Sequence, residues 1–163
     1  AALGEVAANL DIRFETSGND VIALLDEQDV SDCLRREDTG ILASKIARIP
    51  AVRAALAGRQ RQFRQPPGLV ADGRDMGTVI FPGAKLKIFL TASAEIRAQR
   101  RYKQLKEKGE SVNLTRLFRE IKARDLRDQS RSIAPLRPAE DAVIIDSTNL
   151  SIDEVFNKIV SLI

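Results

Sequence analysis

Histidine is absent from the 163 residues, and there is a single cysteine, Cys33, one tyrosine and no tryptophan. Without histidine, the acid–base, nucleophilic-triad and zinc schemes that depend on imidazole are excluded. One cysteine cannot close an internal disulfide or build a sulfur-ligand cluster, which fits a reducing compartment. No apolar run approaches the ~20 residues that a membrane-spanning helix needs. No charged-then-apolar leader opens the chain, so the expectation is a cytoplasmic protein with no membrane partner. With six Phe as the main aromatics, the core must rest on Leu, Ile, Val and Ala.

Basic side chains are abundant. Lysine and arginine number 26 against 23 acidic residues, a net charge of only +3, yet 18 of the 26 are arginine. Arginine presents a rigid, permanently charged fork suited to two-point contact with phosphate or carboxylate. A solvated surface enriched in arginine by codon bias accounts for composition alone equally simply. The chemistry left available is that of Asp, Arg, Lys and backbone, and phosphoryl transfer is the major class that needs little more.

Along the chain, residues 1–10 read as the end of a helix. Apolar or alternating runs at 11–14 and 21–25 flank the turn cluster at 17–20, which predicts a hairpin, with a third short strand near 28–30. Residues 36–64 carry a helical pattern that Pro50 should end or kink. Short apolar runs at 69–72, 86–90 and 142–146, separated by helical segments, predict parallel strands with helices on both faces. Helices are expected at 94–108 and 114–131. The last helix should open at Ser151, with Glu154 completing a capping box.

Four groups of residues stand out as carriers of chemistry. In Asp72-Gly73-Arg74-Asp75-Met76-Gly77-Thr78, a charged loop flanked by glycine falls at the carboxyl end of a predicted strand, where open parallel sheets bind ligands. Arg74 suits a phosphate, and the two carboxylates suit hydrogen bonds or Mg²⁺ held through water. A strand-to-helix turn with a local Asp–Arg pair explains the same residues. In the segment 124–131, Arg124, Arg127, Asp128 and Arg131 share one helical face. Three cations there repel unless an anion lies between them, although a solvated helix is the commoner outcome for a lone segment. Arg97, Arg100 and Arg101, with the lysines that follow, read as a basic flap over polyphosphate, a nucleic-acid surface or a solvated face. Ser44 and Arg53 draw no comment by themselves.

Taken in order, these segments resemble the bacterial cytidylate kinase family from about residue 11 to the C-terminus. The most specific stretch is GLVADGRDMGTVIFP at 68–82. KIFL at 87–90, EKG at 107–109, SVN at 111–113, RDLRD at 124–128 with Arg131, AP at 134–135 and DST at 146–148 support it. The resemblance implies a P-loop nucleoside monophosphate kinase-like α/β fold, a parallel sheet flanked by helices. It implies a small α+β nucleoside-monophosphate-binding insert within 1–66 and a partial core over 67–163, with a lid at about 97–113. It further implies transfer of the γ-phosphoryl group of ATP to CMP or dCMP with Mg²⁺, by a monomer when complete. Ser44, Arg53 and Asp75 then match residues around the cytosine and sugar. Arg74 and Arg131 match arginines near the phosphates, and Arg124 with Asp128 matches the pair at the phosphate and ribose end. Arg100 matches a residue near the ATP base. Arg74, Asp75, Arg124 and Arg131 are therefore the candidate catalytic residues, and Ser44, Arg53, Asp72 and Asp128 the substrate-binding ones. Arg97, Arg100 and Arg101 are the candidates on the ATP side, and no protein metal ligands are expected.

One departure from the family is large. The family opens with a strand, a glycine-rich phosphate loop with lysine, and a Ser-Gly-x-x-Tyr-Arg motif, whereas no G-x-x-x-x-G-K-[ST] occurs in these 163 residues. The resemblance places that strand between the runs at 69–72 and 86–90. The expectation is an incomplete chain, rather than a split protein, inactive toward CMP by itself. The competing expectation is a non-enzymatic nucleic-acid-binding module. Only Tyr102 lies near the basic run, and such modules interleave aromatics for base stacking.

Overall fold

The computed structural model describes residues 2–18, 20–130 and 135–163. They form two compact units, residues 1–70 and 71–163.

The first unit opens with helix α1, Ala2–Asn9, followed by strands β1, Ile12–Ser17, β2, Asp20–Leu25, and β3, Gln28–Asp29. The strands make one antiparallel sheet in the order β1-β2-β3, so the hairpin predicted from alternation is present, in the register Ile12↔Leu25 to Ser17↔Asp20. Leu25↔Gln28 closes the second hairpin over a two-residue turn. Its residues Asp26 and Glu27 both take positive φ, 48° and 65°, as the right-handed twist of the flanking strands demands of so short a loop. The short helix α2, Ser31–Leu34, follows, and the Oγ of Ser31 accepts the N–H of Ala23 at 2.9 Å. Helices α3, Glu37–Ile46, and α4, Pro50–Gln62, then divide where Pro50 requires. Proline suits the first position of a helix, where its missing N–H costs nothing. Helix α1 lies against α4, where a Cβ on Gly4 would stand 3.0 Å from that of Ala51. Val52 is buried on α4, and Phe63 meets Phe14 edge to face with centroids 5.2 Å apart.

The second unit is built on parallel strands β4, Ile88–Thr91, and β5, Val143–Asp146. They pair from Ile88↔Val143 to Thr91↔Asp146. The N–H of Val143 to the carbonyl of Lys87, and that of Ser147 to Thr91, extend the ladder at both ends. The expected strand at 69–72 does not form. Leu69 and Val70 are exposed, Val70 completely, and no ladder hydrogen bond engages the segment among the described residues. A run of three apolar residues has little hold on extended structure unless a neighbouring strand pairs with it. The sheet of this unit therefore has two strands among the described residues, not the three predicted.

After β4 comes α5, Ala94–Glu107, capped by Ser93, whose Oγ accepts the N–H of Ile96 at 3.2 Å. Helix α6, Leu114–Gln129, is capped by Asn113, which accepts the N–H of Arg116 at 2.9 Å. The two helices pack against each other. Helix α7, Ile152–Val160, opens with the predicted capping box: Ser151 Oγ accepts from Glu154 N at 3.2 Å, and the Glu154 carboxylate accepts from Ser151 N at 2.7 Å. Ile80, Ala92, Ala98, Leu105 and Ile145 are buried. No helix of the described residues is long and apolar enough to cross a membrane.

Candidate functional site

The segment before β4 turns into a wide helical turn, Met76–Ile80. The N–H of Ile80 reaches the carbonyl of Asp75 at 3.1 Å and that of Phe81 the carbonyl of Met76 at 2.7 Å, five residues back in each case. Turns of this width recur at functional sites because they re-aim the residues around them. Gly73 has φ +156°, and a Cβ there would stand 3.0 Å from Cγ of Met76. Glycine thus lets the charged loop fold onto its own following turn.

From this loop Arg74 reaches α6. Its Nε stands 2.9 Å from Oδ2 of Asp128, whose side chain is only 3% exposed, while Arg74 is 34% exposed. Arg124, one helical turn before Asp128, approaches the same oxygen at 3.9 Å. Two guanidiniums thus gather at one carboxylate, and arginine forks so placed suit an anion. The backbone carbonyl of Asp128 also accepts the N–H of Leu136 at 2.9 Å, which ties the segment after α6 back to the helix. Arg131 and Ala134 lie outside the described residues. Arg127, grouped with this face by spacing, turns its Nε onto the carbonyl of Ala123 at 3.2 Å.

A second set of polar contacts gathers at the carboxyl ends of β4 and β5. Ser147 is buried, and its Oγ donates to the Thr91 carbonyl at 3.0 Å. Arg100 donates to that Oγ at 3.0 Å, to the Ser147 carbonyl at 2.6 Å and to the Leu150 carbonyl at 3.3 Å. Ser93 N–H donates to Thr148 Oγ1 at 3.0 Å, and that hydroxyl donates to Asp146 at 2.5 Å. The Thr148 hydroxyl, and then its backbone N–H, hold the Asp146 carboxyl below the usual carboxylate range. Arg97 engages Asp125 on α6 through both terminal nitrogens, at 2.9 and 2.5 Å. That carboxylate raises the guanidinium above its ordinary value. Arg101 is exposed farther along α5, and Asp72 is exposed in the loop before Arg74.

Of the residues singled out in the sequence, Arg74, Arg124 and Asp128 come together. Arg97 and Arg100 are placed near the strand ends, against different partners. Ser44 lies on α3 and Arg53, half-buried, on α4, both in the first unit; Asp75 sits at the start of the wide turn, in the second. Asp125, Ser147 and Thr148 form part of the polar framework, although no role was read for them individually. Ser147 and Thr148 fall in the DST motif, while Asp125 carries no local sign of its partner 28 residues away. Among the described residues, no group of three His, Cys, Asp or Glu is placed to hold a metal ion.

The family model described as cytidylate kinase matches residues 1–163. The cytidylate kinase of Aeromonas hydrophila is 60% identical over 155 residues, which cover 95% of this chain and 67% of that protein. That of Methylococcus capsulatus is 57% identical over 163 residues, covering 100% of this chain and 73% of the relative. That of Stutzerimonas stutzeri is 55% identical over 162 residues, covering 98% and 71%. At this identity and coverage, the chain belongs to the cytidylate kinase family of nucleotide-binding phosphotransferases, a family that implies the P-loop nucleoside monophosphate kinase fold.

Proposed function

We propose that this chain serves in the transfer of the γ-phosphoryl group from ATP to CMP or dCMP, and that it supplies the acceptor site and the lid. In the reaction an oxygen of the acceptor phosphate bonds to the γ-phosphorus while the bond to the β,γ-bridging oxygen breaks, giving CDP or dCDP and ADP. The observation that carries the reading is the Arg74–Asp128–Arg124 cluster. Its two guanidinium forks suit the acceptor phosphate, and Asp128 fixes Arg74 so that little reorganisation is needed when the anion arrives. Arg131 is assigned to the same phosphates. Ser44, Arg53 and Asp75 are assigned to the cytosine and sugar, with Asp72 in the adjoining loop.

On the ATP side, Arg100 is assigned to the region of the base, where its contacts with Ser147 and Leu150 hold it at the strand ends. Arg101 is exposed beside it on the lid segment 97–113. Magnesium in such sites relies on phosphate oxygens and water more than on protein cages. Asp72, exposed in the loop before Arg74, is the carboxylate suited to meet it through water. When bound, the ion neutralises charge on the transferring group.

The test is calorimetric titration of the protein with CMP, dCMP, UMP and AMP, and with a short RNA, over a series of salt concentrations. The reading predicts saturable binding of CMP and dCMP ahead of AMP. Tighter binding of RNA than of CMP, falling steeply with salt, would favour a nucleic-acid-binding module instead.

A further inference from the structure

Arg97 spends its guanidinium on partners within the protein. Nη1 and Nη2 donate to the two carboxylate oxygens of Asp125 at 2.9 and 2.5 Å, and Nε donates to the carbonyl of Ala92 at 3.0 Å. Ala92 directly follows β4, and it is buried. Asp125 stands on α6 three residues before Asp128 and next to Arg124. A planar fork bound at three points fixes its partner in orientation as well as in distance, which a lysine at the same place would not do. The rotation of α6 that gives Asp125 to Arg97 therefore also sets where Asp128 and Arg124 project, because residues of one helix turn together.

We propose that the Arg97–Asp125 pair is a positioning device for the acceptor-phosphate cluster: it locks the rotation of α6 to the exit of β4, so that Asp128 receives Arg74 and Arg124 stands beside them. Arg97 thus acts through α6 rather than on nucleotide directly. The inference rests on the reading of that cluster as the binding place of the CMP phosphate.

The experiment compares CMP and cytidine binding by calorimetry for the wild-type protein, Asp125→Asn, Arg97→Lys and the double variant, with thermal melting followed in parallel. Each single variant is expected to weaken CMP binding about tenfold, and the double variant no more than either single one, since both remove the same link. Cytidine, which lacks the phosphate, should bind all four proteins alike, a distinction that general loosening of the fold does not produce. If Asp125→Asn does not fold, Arg97→Lys, which keeps the charge, is read in the same way. Unchanged CMP affinity in the variants, multiplied losses in the double variant, or equal losses for cytidine and CMP would overturn the proposal. A wild-type protein that binds no CMP would instead defeat the functional reading beneath it.

Discussion

Arg74 Nε and Asp128 Oδ2 stand 2.9 Å apart, with the carboxylate all but enclosed by the protein. A buried carboxylate is strongly dependent on its donors. Replacing Arg74 by methionine removes the 2.9 Å contact, while Arg124 stays 3.9 Å from the same oxygen. Arg74→Met is expected to destabilise the protein by about 1–3 kcal/mol, measured by urea denaturation. Arg74→Lys should recover only part of the loss, because the ammonium cannot reproduce the Nε contact. An unchanged urea midpoint in Arg74→Met would show that the pair contributes nothing.

The pair Lys87–Asp141 predicts a pH dependence. The Lys87 ammonium, on a side chain only 8% exposed, donates to both oxygens of Asp141, at 2.9 and 2.8 Å, and to the Pro82 carbonyl. That hydrogen bond from Lys87 holds the Asp141 carboxyl below its ordinary value. The folded state therefore takes up this proton less readily than the unfolded state. The pair's stabilisation is fully present above the unfolded value near pH 4 and is lost as pH falls through the lowered folded value. Wild-type protein should melt higher than Asp141→Asn at neutral pH, and the gap should close as the pH drops below about 4. A gap that stays constant from pH 7 to 3 would contradict this assignment.

The parts of the fold legible in the sequence are those whose cause is local. Alternation in the first hairpin, the helix start at Pro50 and the Ser151–Glu154 capping box each involve neighbours within a few residues, and each is present. The strand expected at 69–72 failed because a strand is completed by its partner, which a short apolar run does not disclose. The site was legible in part for the same reason. Helical spacing placed Arg124 and Asp128 on one face, but gave no sign that Arg74 would arrive there. Nor did it show that Arg127 would turn to its own helix's carbonyl. Arg97 read as a candidate on the ATP side and Lys87 only as part of an apolar strand motif; nothing local points to Asp125 and Asp141, 28 and 54 positions away, which bind them.

The turn between β2 and β3 offers a gain in stability. Glu27 holds φ at +65°, a conformation that a Cβ disfavours and glycine adopts freely. Glu27→Gly relieves the strain while adding freedom to the unfolded chain, so the expected net gain is modest, up to about 1 kcal/mol. Chemical denaturation of the two proteins measures it. A loss of stability of that size in Glu27→Gly would mean that the glutamate side chain contributes more than its backbone costs.

The central claim is that the arginines around Asp128 receive the phosphate of CMP. The most direct measurement is a titration of isotope-labelled protein with CMP, following the arginine Nε–Hε resonances by NMR, with cytidine as the control. The account predicts that CMP shifts the signals of Arg74 and Arg124 in a saturable way, and that cytidine leaves them nearly unmoved. Saturation with CMP that leaves both signals in place, or the same shifts with cytidine, would contradict it.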